Sequence, residues 1–187
     1  MSNTHTARLE KNLKKLQSYN LNIEHAKKLH LMVGLPIENA SKIIYKKENS
    51  NEKIFTVIEK GVKKITYKKK NNNEKAPTVI EVGVKHELGI NTPQRSFLKM
   101  PFFVMEDEMN RYVQNRFNDM FEKNRKAYDQ VSLIGLKAVQ IVQDAFTNQG
   151  YGNWQPLSPV TIEQKGSSQI LIDTGTLRGS ITHVVRS

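Results

Sequence analysis

The triplet Asp173-Thr174-Gly175, preceded by the apolar run Ile170-Leu171-Ile172, is the stretch of this sequence with the clearest catalytic chemistry. In aspartic proteases, two such carboxylates from two lobes share a proton and activate water. Only 14 residues follow Asp173, and no second Asp-Thr-Gly exists. A homodimer would supply the second carboxylate but not the missing part of each lobe. A hydrolase built on Asp173 is therefore the weakest interpretation of the triplet.

The alternative is that the triplet forms a turn. Asp173 or Thr174 caps it, and Gly175 takes a positive φ that other residues resist. Leu177 then fills the core as the chain enters its last strand, Ile181 to Val185. We favour this structural interpretation.

His86-Glu87 raises the possibility of a zinc protease, which needs a second histidine one turn after the first. Position 90 is isoleucine, so the motif fails. The sequence contains no cysteine, and its other histidines are not spaced as metal ligands, so neither residue type supports a metal site. The acids Glu106, Asp107 and Glu108 are consecutive, so on a helix they point in different directions and form a solvated face. The sequence also lacks a phosphate-binding glycine loop and a Gly-x-Ser-x-Gly elbow. We expect no enzyme activity, catalytic residue, metal or cofactor.

The positive charge is concentrated in the first part of the chain. Of the formal net charge of +11, residues 1–75 supply 17 lysines and arginines against 7 acidic residues. Nearly all are lysines, which act as point charges toward phosphate rather than as planar base readers. Nonspecific DNA contact is one interpretation, and biased composition on a solvated surface is the other. The lysines singled out for DNA contact are Lys63, Lys64, Lys68, Lys69 and Lys70.

Hydrophobic periodicity places these residues on a series of elements. It predicts an amphipathic helix over 4–19 with Leu9, Leu13 and Leu16 on one face. A strand follows over 29–35, although 23–31 could equally continue the helix. Three strand-like runs follow at 42–47, 53–58 and 62–69, then a low-complexity loop at 68–75.

Three more helices are predicted after this basic region. The first spans 77–88, with Pro77 at its first position and Gly89 after its end. The second runs from Phe97 to Lys123. The third, Tyr128 to Asn148, is the more apolar and should be the central buried helix, stopped by the glycines that follow it. The longest apolar run, Pro101 to Met105, is too short to span a membrane, and no membrane partner is expected.

The C-terminal stretch resembles a known family. Its pattern is Trp154-x-Pro156-Leu157-Ser158-x-x-Thr161-Ile162, then Lys165-Gly166, then Leu171-x-Asp173-Thr174-Gly175-x-Leu177-x-x-Ser180-Ile181. This resembles the C-terminal signature of the virion-morphogenesis, or tail-completion, proteins of tailed bacteriophages. A second match is a helix that ends in His86-Glu87-Leu88-Gly89 and leads into Pro93-x-Arg95-x-Phe97-Leu98. Leu88 stands where the family has an aromatic residue, and we expect it to fill the same hydrophobic site.

The resemblance covers less than half of the chain, and it implies a noncatalytic structural protein of the virion neck. Such a protein assembles in the host bacterial cytoplasm as a homo-oligomeric, hexameric ring. It contacts other head-completion and tail proteins around the DNA path. The hairpin and the turn over 150–168 are the expected ring interfaces, because a closed ring needs two different patches per subunit. A tail terminator ring and a nonspecific nucleic-acid-binding domain are the alternatives.

We therefore predict an α+β fold over residues 1–187 as one domain. A small antiparallel sheet is packed by two long helices. An N-terminal helix and an inserted basic β-hairpin over 42–75 are appended to it.

Overall fold

The computed structural model describes residues 2–36, 54–59, 62–67, 77–172 and 174–187, with side chains described for 7–36, 77–163, 165–172 and 174–187. In chain order its elements are α1 (Ser2–Ala26), β1 (His30–Gly34), β2 (Ile54–Glu59), β3 (Val62–Tyr67), α2 (Val79–Leu88), α3 (Met100–Val104), α4 (Glu106–Glu122), α5 (Ala127–Thr147), α6 (Pro159–Lys165), α7 (Thr176–Gly179) and β4 (Thr182–Arg186). The predicted α+β class is confirmed. The strand predicted at 42–47 and the loop at 68–75 lie outside the described residues.

Contacts divide the chain into two compact units. The first comprises residues 1–34, 105–140 and 182–187, and the second comprises 35–104 and 141–181. Helix α5 contributes residues to both. The single-domain organisation stays a prediction.

In the first unit, β1 pairs antiparallel with β4, and Leu31 lies opposite Val185 while Val33 lies opposite His183. This small sheet packs on α5 at Gly135. A Cβ atom at Gly135 would lie 2.3 Å from the His183 ring and 2.8 Å from Leu31 Cδ1. The missing side chain is what lets the sheet approach the helix so closely.

Helices α1 and α4 also meet in the first unit. The rings of Tyr19 and Phe121 pack edge to face with centroids 6.0 Å apart. Ser18 Oγ donates to Asn124 Oδ1 at 2.6 Å. Helix α1 is longer than predicted, and it continues to Ala26 before β1 begins at His30.

In the second unit the core is built from α2, the end of α5 and the segments that follow it. Its fully buried side chains include Val79, Phe97, Val142, Phe146 and Ile170. The hairpin also belongs to this unit, and β2 pairs antiparallel with β3 from Ile54 opposite Tyr67 to Glu59 opposite Val62. The hairpin prediction is confirmed at the level of the strands.

The prediction of one helix over 97–123 was wrong: there are two helices, because the backbone of Met105 leaves helical geometry at φ −103° and ψ 20°. Leu136, an apolar residue of the predicted central helix, is 54% exposed. The predicted central helix itself is confirmed as α5, with Ile134, Ala138, Ile141, Val142, Ala145 and Phe146 buried.

Candidate functional site

Helix α2 presents the first half of the family-like motif, and both of its ends are capped. Thr78 is the N-cap: its hydroxyl accepts from the Glu81 amide, and Glu81 accepts in return from the Thr78 amide, which is a capping box. Pro77 therefore precedes the cap, and the prediction that it is the first helical residue was wrong. Gly89 ends the helix in the left-handed conformation at φ 73°, which confirms its predicted role.

The Glu87 carboxylate joins the end of α2 to the segment that starts α3. It accepts from Ser96 Oγ at 2.7 Å and from the backbone amides of Phe97, Leu98 and Lys99 at 2.7, 2.9 and 3.1 Å. These donors satisfy both carboxylate oxygens. Glu87 is therefore a structural acceptor for the otherwise unpaired amides before a helix, not the general base of a zinc protease.

Arg95 is buried, and it joins the segment before α3 to the chain around Gln155. Its Nε and Nη2 atoms donate to the Gln155 carbonyl at 3.3 and 3.1 Å. Its backbone amide donates to the His86 carbonyl at 2.8 Å. Burial lowers the pKa of the Arg95 guanidinium. The side chain is thus a cross-brace between the end of α2 and the chain after Trp154.

Trp154, the only tryptophan of the sequence, completes the cluster. It is 5% exposed, and its Nε1 donates to the Ser96 carbonyl at 3.2 Å. Its ring meets Phe146 edge to face at 5.7 Å, and Phe146 in turn meets Phe97 at 5.3 Å. A Cβ atom at Gly150 would lie 2.3 Å from the indole, so the glycine is required there. We call Glu87, Arg95, Ser96, Phe97 and Trp154 the motif cluster.

His86 lies at the edge of the motif cluster in its neutral form. Desolvation lowers its pKa to about 4, and the nearby charges of Arg95 and Lys85 add to the effect. Its Nδ1 is buried without a hydrogen-bond partner. No group of three metal-ligating side chains was found among the described residues.

The Asp-Thr-Gly turn is described on either side of Asp173, which itself lies outside the described residues. Gly175 has φ 75° and ψ −1°, so its predicted positive φ is confirmed. Leu177 is buried, as expected, but it lies on the short helix α7 rather than directly before the last strand. Ser180 is also buried, and its hydroxyl donates to the Thr176 carbonyl at 2.7 Å.

Helix α7 reaches α2 at Gly83. A Cβ atom at Gly83 would lie 3.5 Å from Leu177 Cδ1 and 3.4 Å from the Phe97 ring. The second half of the motif thereby packs on the first half within the same unit. The residues of the two motif segments are brought together, although more than 50 positions separate them in the sequence.

Other motif residues lie on the surface. Pro156 is exposed and Leu157 is half-buried. Ser158 caps α6 by accepting from the Thr161 amide. Leu88 is 63% exposed, so the expectation that it fills a hydrophobic site was wrong. It lies on the solvent side of α2, where no other part of the described chain covers it.

The lysines proposed for DNA contact are only partly within the described chain. Lys63 and Lys64 are on β3, opposite Ile58 and Val57. Lys68, Lys69 and Lys70 lie outside the described residues. The proposed contact to DNA stays a prediction.

One pair of potentially reactive side chains was not predicted from the sequence. Ser132 Oγ lies 3.2 Å from His183 Nε2, which is a nucleophile–base distance. A triad also needs a group that orients the histidine, and within the described chain no carboxylate contacts His183. The pair instead joins α5 to β4. A separation of 51 positions leaves no sequence signal for it.

Comparison with known proteins found no family model, no curated protein and no solved structure that matches the chain. Among the described residues, no helix is both long enough and apolar enough to cross a membrane.

Proposed function

We propose that this chain is a structural protein of a tailed-bacteriophage virion. It forms a homo-oligomeric ring at the head–tail junction and joins the tail to the DNA-filled head. The observation that supports this most is the motif cluster. Four of the residues that resemble the tail-completion family, Glu87, Arg95, Phe97 and Trp154, meet in one place, and each makes a structural contact there.

The cluster supports a scaffold rather than an enzyme because its polar groups are already engaged. Glu87 is saturated with donors, and Arg95 is bonded to a carbonyl in a buried position. A catalytic acid or base must be able to reach substrate. Both groups are already engaged within the fold, and the motif is explained by what it holds together.

Ring formation requires two complementary surfaces on each subunit. The turn that contains α6 is one suitable surface, because Val160 is 62% exposed and Ile162 is 37% exposed there. Two capped ends hold the helix in place. Ser158 caps its start, and Gly166 ends it in the left-handed conformation. The hairpin β2–β3 is the proposed second surface.

The test is complementation with heads and tails from an infection that lacks this chain. We expect DNA-filled heads and complete tails to stay separate, and purified protein to restore infectious particles. Val160→Asp combined with Ile162→Asp should abolish the restoration while leaving the thermal unfolding midpoint unchanged. Leu136→Asp, the same change at an exposed position on α5, is the matched control. Infectious particles that form without this chain would contradict the proposal.

A nonspecific DNA-binding role is the second candidate, and an observation on α1 favours it. Arg8, Lys11, Lys14 and Lys15 are all exposed along this helix. Phosphate contacts release counterions, so affinity would fall linearly with salt on a logarithmic plot. Replacing Lys14 and Lys15 with alanine should reduce that slope by about 2 if both lysines contact phosphate, and the same change at Lys63 and Lys64 tests the hairpin. An unchanged slope in both variants would contradict the DNA-binding role.

A further inference from the structure

The first turns of α1 carry an apolar stripe that no other described element covers. Leu9, Leu13 and Leu16 are 56%, 58% and 60% exposed. Every side chain from residue 7 to residue 17 is exposed. The expected amphipathic face therefore exists, but the described chain provides nothing for it to pack against.

The stripe precedes the residues that hold α1 in its own subunit. Those residues come later in the helix: Tyr19 meets Phe121, and Ile23 and Ala26 line an apolar cleft with residues of α4. At 100° per residue, Asn20 and Ile23 both continue the line of the three leucines, whereas Tyr19 and Ala26 are turned away from it. Packing on α4 thus reaches this line at Ile23 and leaves it open from Leu9 to Asn20.

A helical segment without tertiary packing is only marginally stable in water at this length. A partner that covered Leu9, Leu13 and Leu16 would therefore stabilise the segment as well as bury apolar area. The question is which partner the pattern fits.

The spacing of the stripe fits a coiled-coil seam. Leu9, Leu13, Leu16 and Asn20 are separated by 4, 3 and 4 positions, which places them at d, a, d and a of a heptad repeat. The four basic residues of the segment then fall at the outer positions b, c and f; they are Arg8, Lys11, Lys14 and Lys15.

The charges therefore do not oppose pairing with an identical helix. Between Glu10 and Tyr19 the flanking e and g positions are Glu10, Asn12, Gln17 and Tyr19, which carry a single charge. A second copy of the segment would present the same flanks, with Glu10 as their one charged residue, and keep its own basic residues on the outside. The seam is thus electrostatically compatible with a copy of itself.

We propose that two copies of this chain pair through α1 as a parallel, in-register coiled coil along Leu9, Leu13, Leu16 and Asn20. Asn20 sets the direction. In a parallel pair it faces Asn20 of the second copy, and the two amides can bond to each other. In an antiparallel pair with Leu13 against Leu16, it would face Leu9 and bury an unpaired amide, which is costly.

The seam is short, so the pairing is weak by itself. Three partly exposed leucines per chain supply far less than the roughly 800 Å² per partner of a stable interface. The pairing therefore adds to other contacts between copies. It does not rest on the proposed place in the virion, because it follows from α1 alone.

Cysteine cross-linking tests the pairing directly, since the natural sequence contains no cysteine. Leu9→Cys, Leu13→Cys and Leu16→Cys, each introduced singly, should give disulfide-linked dimers under mild oxidation. Lys11→Cys and Lys14→Cys are the matched controls, because the same helix places these positions away from the seam. They should stay monomeric under the same conditions.

Sedimentation of the unoxidised protein gives an independent readout. Leu13→Asn combined with Leu16→Asn should raise the self-association Kd at least roughly tenfold, while Lys11→Asn combined with Lys14→Asn leaves it unchanged. Equal cross-linking at seam and control positions would overturn the proposal. So would a monomer with no self-association up to about 100 µM, or cross-links that form only between a Leu9→Cys chain and an Asn20→Cys chain.

Discussion

At the residue scale, the Glu87 carboxylate is the group on which the largest number of contacts in the motif cluster depend. Four donors converge on it, three of them backbone amides before α3. Glu87→Gln should lower the free energy of unfolding by about 2–4 kcal/mol, because an amide accepts with only one oxygen and turns donors toward donors. Urea denaturation would measure the loss. Glu106→Gln is the control, since Glu106 is exposed on α4. An equal loss in both variants would contradict the structural role of the Glu87 carboxylate.

His86 should make the protein less stable in mild acid. Its pKa in the folded chain is about 4, against 6.5 for the free side chain. Between these values the unfolded chain binds the proton and the folded chain does not, so this contribution is full above pH 6.5 and is lost as the pH falls toward 4. His86→Gln should reduce the difference in unfolding free energy between pH 7 and pH 5. His25→Gln, at an exposed histidine, should not change it.

Gly175 supports the structural interpretation of the Asp-Thr-Gly turn. At φ 75° a side chain is strained, although nothing lies within 4 Å of where its Cβ would be. Gly175→Val should therefore cost about 1–3 kcal/mol through backbone strain alone. Gly175→Asn should recover most of that, because asparagine tolerates the left-handed region. Equal stability of the valine variant and the natural chain in thermal unfolding would show that the turn needs no glycine.

At the scale of elements, the closest packing in the first unit is that of the β1–β4 sheet on α5. Gly135→Ala would place a methyl group 2.3 Å from the His183 ring. We expect a loss of about 1–3 kcal/mol and a shifted His183 resonance by NMR, because an overpacked site forces the sheet away from the helix. Gly179→Ala is the control, since a Cβ there meets nothing within 4 Å. An unshifted His183 signal together with unchanged stability would contradict the close packing of the sheet on α5.

Local periodicity was sufficient to predict α5 and the β2–β3 hairpin, since each has a pattern that one kind of element explains. For β1 it left a strand and a continued helix open. It could not predict the break at Met105, because neither glycine nor proline marks that position. Nor could it show that Leu88 and the α1 leucines are exposed. A period of 3.6 residues shows that a helix has an apolar face, but not whether another element covers it.

The motif cluster was predicted as a set of residues but not as a set of contacts. The resemblance pointed to Glu87, Arg95 and Trp154, while the bonds of Glu87 to three consecutive amides have no sequence signal. Such bonds depend on how the chain returns after Gly89, and tertiary packing decides this path. The same limit applies to Ser132 and His183, which meet only once α5 and β4 are in place.

At the scale of the whole molecule, the features of the chain agree with a part that holds others together. Its motif residues brace three segments of one unit, and exposed apolar residues on α1 and α6 have no described neighbour on that side. A structural protein of the virion needs both properties: a fixed shape and surfaces left for partners. An enzyme would instead need reactive groups free at a cleft.

Electron cryomicroscopy of the intact virion tests the central proposal most directly. We predict density for this chain as a closed ring around the DNA path, between the head and the first ring of the tail tube. Within each subunit, Trp154 should be packed against Phe146. Particles whose neck is fully accounted for by other proteins, with this chain absent or located elsewhere, would contradict it.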